Sequence, residues 1–247
     1  MSLTEDIAQL VARTNTLLAT FEAKEAAINN AVQSAINGAG SLYREVWVDP
    51  VKGNDANTGL SPSAAFLTID RAFEATPHVP SVTISLLGDV TIRKKHTTFS
   101  SAITIRGMDG VNDQKRVLRT VSFSPTASNS PNIYGNSYPA GVELQSRVGL
   151  RLDYVSLIIP DTPSTVTNTN VFGVHYGMAF IMAYGTLSAE KATTSAVLFQ
   201  PWWAAPLEVW CSNVAIADSA RGHILSGVAA NANPHLIANY RSNLTAL

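Results

Sequence analysis

One heptad position of the first forty residues returns an apolar side chain almost every time it comes round, and this repeat constrains the chain more than any other feature. Ile7, Thr14, Phe21, Ile28 and Ala35 share that position; Leu10, Leu17 and Ala31 follow it by three residues, and Val11, Leu18 and Val32 by four. Three neighbouring positions make a stripe wider than a two-stranded seam requires, which points to three copies. A lone helix of about forty residues cannot bury such a stripe, so it associates with copies of itself or lies along a larger partner. The competing reading is a monomeric helix folded onto the domain that follows. Thr14 and Lys24 interrupt the stripe, and Lys24 with Glu25 would set register or partner number rather than add stability. Ser2 or Thr4 can cap the start, where Glu5 and Asp6 oppose the helix dipole. Asn37, Gly38 and Gly40 predict a stop near Ile36 to Gly38.

After Gly40 the period changes. Val46, Trp47 and Val48 predict a short strand broken at Asp49 and Pro50, followed by a dense turn segment from Gly53 to Gly59. Its carboxylates and amides invite a calcium reading, but it lacks the acidic ligand count and closing Glu of a helix-loop-helix calcium site, and Asx turns explain it as well. Phe66, Ile69 and Phe73 then share one face of a short amphipathic helix. From Pro80 onward come short alternating runs, among them Val82, Ile84 and Leu86, then Ile103 with Ile105, Val121 with Phe123, and Val142 with Leu144. The runs opening at Val82, Ile103, Val121 and Val142 start 21, 18 and 21 residues apart, near one coil of a stacked β-solenoid. A β-sandwich or jelly roll would yield much the same series. The expected division is a helical stalk at 1–40, a junction strand, loop and capping helix at 41–80, and a β-rich body at 81–247.

Composition excludes broad classes of partner. Seventeen basic against eighteen acidic residues leave a net charge of −1, which offers no field for nucleic acid or an anionic membrane. Arg93, Lys94 and Lys95 form the sole basic cluster, read as a solvated strand end or turn rather than a phosphate contact. Cys211 stands alone, so no internal disulfide forms, and its apolar neighbours mark it as a small buried hydrophobe. Met1 to Asp6 lacks the basic and apolar regions of a signal peptide, and the longest apolar stretch, Met178 to Tyr184, is too short to cross a bilayer. The expectation is a chain made in a cytoplasm, with no membrane insertion.

Chemistry is harder to find. His78, His96, His175, His223 and His235 are scattered without metal-binding spacing, so each reads as a surface or turn histidine, and no nucleophile elbow or phosphate loop is present. Glycoside hydrolysis needs two carboxylates, but no spacing pairs Glu143, Asp153, Asp89, Asp109, Asp113, Asp161, Glu208 or Asp218, and each alone reads as a surface group. No catalytic residue, metal ligand or cofactor is therefore assigned. Trp202 and Trp203, between Pro201 and Pro206, form the one aromatic cluster able to stack on a sugar ring. Adjacent tryptophans in a strand face opposite sides, so one of them is expected in the core or a subunit interface.

The run Val46-Trp47-Val48-Asp49-Pro50, the loop from Gly53 to Pro62, and Phe66-Leu67-Thr68-Ile69-Asp70-Arg71-Ala72 together resemble the opening of right-handed parallel β-helix domains of the pectate-lyase-like type. The match covers about thirty residues. Behind a heptad stalk it resembles the tail fibres and tailspikes of bacteriophages. That resemblance implies a mainly β protein with a right-handed parallel β-helix body behind a coiled-coil stalk, its end plugged by Phe66, Ile69 and Phe73. It further implies a homotrimer in the virion tail, contacting other tail proteins and a bacterial surface glycan. The first expectation is a structural adhesion subunit. The alternative is a tailspike-like glycosidase or lyase, although about 200 residues at ~20 per coil permit fewer than ten coils. A third reading is a virion adaptor whose body docks another fibre.

Overall fold

The computed structural model describes residues 3–110, 115–130 and 136–247, and the side chains of residues 26 and 30–41 lie outside that description. The chain divides into two units, Met1–Leu42 and Tyr43–Leu247.

The first unit is a single helix, α1 (Leu3–Leu42). It runs through Gly38 and Gly40, correcting the expected stop: glycine permits a left-handed turn but does not compel one, and the helix ends only where the next strand begins. Thr14, Thr16 and Thr20 return their hydroxyls to the carbonyls of Leu10, Ala12 and Thr16 at 2.8–2.9 Å, so these polar interruptions are satisfied within the helix. Ile7, Leu10, Val11, Leu17, Leu18, Phe21 and Ile28 are each more than half exposed. The Val32 side chain and the expected cap Ser2 lie outside the described residues.

The second unit opens with β1 (Tyr43–Val48) and the short helix α2 (Ile69–Ala75). Strands β2 (Ser81–Leu86), β3 (Val90–Ile92), β4 (Lys95–Thr98), β5 (Ala102–Gly107) and β6 (Arg119–Phe123) follow. Then come β7 (Gly141–Leu144), β8 (Val148–Asp153), β9 (Val155–Ile159), β10 (Asn170–Val174) and β11 (Met178–Ala189). The last are β12 (Val197–Pro201), β13 (Leu207–Ile216) and β14 (Tyr240–Ser242). One sheet has ten strands, in the order β1-β2-β5-β8-β11-β9-β6-β3, with β13 and β14 continuing from β11; the other has four, in the order β12-β10-β7-β4.

This topology corrects the expected fold class. Uniform coils of about twenty residues require the runs at Val82, Ile103, Val121 and Val142 to stack in sequence. Only the first two do so. Val82 pairs with Ile103, whereas Val121 pairs with Val90, and Val142 pairs with His96 and Phe172. From Ile103 the large sheet steps 47 residues to Leu150 and then 30 to Phe180. The sandwich and jelly-roll alternative fails as well, because it needs antiparallel ladders and every ladder between the named strands is parallel. The body is mainly parallel β, built as two parallel sheets with one long helix ahead of them, and not the predicted β-helix solenoid. Alternation reports which face of a strand is buried, not which strand lies beside it.

The large sheet curls along a line of left-handed residues. β11 pairs with β8 through Met178–Ala183 and with β9 through Thr186–Ala189. Between those halves Tyr184 has φ 55°, and its neighbours Tyr154 and Asn213 have φ 55° and 53°. Such conformations cost a non-glycine residue about 1 kcal/mol or more. Stacking of the Tyr154 and Tyr184 rings at 4.9 Å offsets part of that cost.

The core joins both sheets, with Phe123 meeting Phe172 edge-on and Phe199 contacting Phe172 and Phe180. Phe66, Ile69 and Phe73 are all buried in it, but Phe66 arrives from a bridge to Val48 and not from α2. Asp55 fixes this end, accepting the Leu67 and Thr68 amides and the Thr68 hydroxyl at 2.9 Å. The loop's acidic and amide side chains are thus occupied by their own chain: Asp49 likewise accepts from Val51 and Lys52, and Asn54 from Ala56.

Candidate functional site

The four-stranded sheet gathers the unusual chemistry. β4 begins at Lys95, so the basic run is split between the strand and the residues that lead into it, and along β4 successive side chains alternate faces. Lys94 reaches Glu74 at 2.5 Å, while Lys95 is buried, correcting the expectation of a solvated cluster. His96, expected at the surface, is buried on the opposite face, stacked on Phe73 and 2.7 Å from Asp70.

Parallel register places Thr97, Glu143 and Gly173 side by side on β4, β7 and β10. A Cβ at Gly173 would lie 1.8 Å from Glu143 Oε2, so the glycine makes room for the carboxylate. Lys95 Nζ donates to Asn170 O at 2.6 Å and Val171 O at 3.2 Å and meets Glu143 Oε1 at 3.1 Å. Three acceptors match the three donors of an ammonium. Asn170 Nδ2 also donates to Oε1 at 2.9 Å, and His175 Nε2 lies 2.9 Å from Oε2. Because a carboxylate only accepts, Nε2 is the donor.

Burial favours the neutral form of Glu143, but the Lys95 charge and the bonds from Asn170, His175 and Lys95 outweigh it and hold the carboxyl below its ordinary range. Burial in turn pushes the Lys95 ammonium down, opposed by Glu143. Glu143 is therefore an ionised acceptor and not a proton donor at neutral pH.

Trp202 and Trp203 are not in a strand, which corrects the opposite-faces expectation. They form a one-turn 3-10 helix after β12, with Trp203 at φ 51°, and both rings approach His175, at 6.1 Å and 5.6 Å between centroids. Trp203 is four-fifths exposed, and the Trp202 Nε1–H is sealed from water without a partner among the described residues. Between these groups lies a cleft of about 580 Å³ lined by Thr97, Glu143, Gln145, Asn168, His175 and Trp202, with Lys95 and Tyr138 at its base. A smaller hollow of about 230 Å³ beside Pro50, Asp89 and Arg93 has no aromatic face.

The other candidate carboxylates are elsewhere. Asp153 pairs with Arg151, Asp161 with Lys191, Asp218 with Arg221 and Asp109 with Lys115, and Asp89 accepts the Thr120 amide. Glu208 lines separate hollows beside Arg147, and Asp113 lies outside the described residues. Among the described residues Glu143 is the one carboxylate lining the cleft, so the acid and base pair of a glycosidase is not assembled there. No group of three His, Cys, Asp or Glu side chains among the described residues could hold a metal ion. His223 bonds the carbonyls of Ala196 and Ala192, and His78 stacks on Phe99. No described helix is long and apolar enough to cross a membrane.

Sequence reasoning named Glu143 and His175 only as scattered surface groups and placed Lys95 in a solvated run. Their association depends on strand register, which no local spacing encodes. No protein-family model, curated protein or solved structure matches the chain.

Proposed function

We propose that the chain is a structural tail-fibre subunit of a phage, with α1 self-associating as a three-chain stalk that attaches to the particle and the β body serving in host-surface adhesion. The observation that carries this reading is the exposed stripe of α1 from Ile7 to Ile28. A monomer in solution rarely leaves so long an apolar seam in water. The occupant is further copies of the same chain, because the stripe keeps one heptad register and is three positions wide, the pattern of a self-complementary three-stranded seam. Each side chain is more than half exposed, and full burial of one such group contributes about 1.5–3 kcal/mol, so the stripe supplies enough only if it zips along its whole length. The junction from Val46 to Ala72 supports the virion context by its resemblance to fibre and tailspike entrances, a likeness of sequence that does not extend to the predicted solenoid.

Light scattering on the full chain tests the reading. Three subunits are expected, falling to one when Leu10, Leu17 and Phe21 are all changed to Lys, with the circular dichroism of the β body unchanged. A full-length chain that stays monomeric at tens of micromolar refutes it.

A further inference from the structure

We infer that the cleft between Glu143 and Trp202 is a binding site for uncharged, hydroxyl-rich saccharides and discriminates against acidic ones. The inference deepens the adhesion role proposed for the body and rests on that reading.

The donor and acceptor inventory of the cleft carries it. Glu143 Oε1 already takes two donors, from Lys95 and Asn170, which uses both of its lone pairs. Oε2 takes one, from His175, and keeps one acceptor position on a side chain that is about a fifth exposed. Gln145 and Asn168 line the same cleft with amides, each of which both donates and accepts. Among the described residues the wall therefore offers one strong acceptor beside amide donors, and a hydroxyl is the group that can both donate and accept. Trp202 lines the cleft and supplies the apolar ring on which the C–H face of a pyranose stacks, while the exposed Trp203 meets His175 edge-on beside it.

Charge excludes the neighbouring ligand classes. The Glu143 negative charge is balanced by Lys95, whose three donors are spent on Glu143, Asn170 and Val171. A cation gains no uncompensated carboxylate. A uronate or phosphate brings oxygens that only accept up to the ionised Glu143, and among the described residues no unspent ammonium lines the cleft to receive them.

The test uses the full chain and matched probes: pentasaccharides of glucose, galactose and mannose, and a pentamer of galacturonic acid, which differs from the galactose probe by a carboxylate in place of a hydroxymethyl group. Binding is read by calorimetry and tryptophan fluorescence. At least one neutral probe is expected to bind, with Trp202→Ala weakening it on the order of tenfold and galacturonate binding at least tenfold more weakly than galactose. Gln145→Ala, which removes a cleft side chain outside the ion pair, provides a second variant if Trp202→Ala unfolds, and is expected to weaken binding severalfold. Galacturonate binding as tightly as its neutral counterpart, no binding by any neutral probe, or binding indifferent to both variants overturns the inference. Scattering on the same samples separates the two readings: a monomer that binds the neutral probe sinks the stalk alone, and a trimer that binds none sinks the cleft alone.

Discussion

Glu143→Gln keeps the shape of the side chain and removes its charge, and its cost follows from what stays behind. The Lys95 ammonium, with its side chain 5% exposed, would keep the carbonyls of Asn170 and Val171 but lose its counter-charge. Removing one member of a buried pair costs about 3–5 kcal/mol, because the remaining charge is uncompensated. Glu143 is itself 21% exposed, so some water reaches the site and the lower end applies, about 3 kcal/mol. In a unit of this size each kcal/mol shifts Tm by roughly 2–4 °C, giving a fall of about 6–12 °C. Lys95→Met with Glu143→Gln removes both charges, and the double variant should be more stable than Glu143→Gln alone, with a coupling of at least ~2 kcal/mol. Urea unfolding followed by circular dichroism at pH 7 and one fixed protein concentration measures all four corners of the cycle. A Glu143→Gln variant within about 0.5 kcal/mol of the parent, or additive single variants, refutes the buried ion pair as described.

Asp70 is buried, which favours its neutral form, but bonds from His96 and from the Arg93 and Lys94 amides hold its pKa below the ordinary 3.8. A folded value below the unfolded one means that its stabilisation is complete above pH 3.8 and is lost as pH falls through the folded value. In pH-dependent urea titrations Asp70→Asn should therefore flatten the acid loss of stability between pH 5 and 2 while costing about 1–3 kcal/mol at pH 7; an unchanged acid limb refutes the assignment. Burial pushes the Cys211 thiol from 9.0 to about 11, so at pH 8 its thiolate is about 100-fold scarcer, and iodoacetamide should label it at least that much more slowly than in urea-unfolded chain. Gly173→Ala should cost several kcal/mol in the same unfolding assay, because its Cβ displaces the Glu143 carboxylate, yet should cost almost nothing in a Glu143→Ala background.

What was legible in the chain was the face of each strand. Val82, Ile84, Leu86, Ile103, Ile105, Val142 and Leu144 are all in the core, as their alternation requires. The α1 stripe was legible for the same reason, since heptad spacing alone puts Ile7, Leu10 and Val11 on one side. Neighbours were not legible. The Lys95 ammonium bonds a carbonyl 75 residues away, and Glu143 takes donors from 27 and 32 residues on. Only the register of β4, β7 and β10 creates those contacts, and a period of two is silent about register between strands. The tryptophan pair lies outside a strand because β12 ends at Pro201 and Trp203 takes a left-handed conformation in the one-turn helix that follows, which adjacency in sequence does not reveal. Gly173 carries a readable signal: a glycine inside a strand run such as Val171-Phe172-Gly173-Val174 marks a place where something lies close against the backbone.

The stalk and the cleft make a functional demand on each other. A site with one lining indole, one open carboxylate position and two amides holds a neutral sugar weakly, since every hydroxyl it binds exchanges one water partner for one protein partner. Three clefts carried on the proposed trimeric stalk would change that arithmetic, because after the first engages a surface the others would bind at an effective concentration set by their tether. Avidity would then exceed single-site affinity by roughly 10²–10⁴. The expected signature is a separation of two readouts in the Leu10→Lys, Leu17→Lys, Phe21→Lys variant. Its affinity for a soluble neutral pentasaccharide should equal the parent's, while its retention on a surface coated with that sugar should fall by at least ~100-fold. Equal retention of monomer and trimer would mean that the clefts of one assembly cannot engage a common surface, and would refute a contribution of the proposed trimer to adhesion.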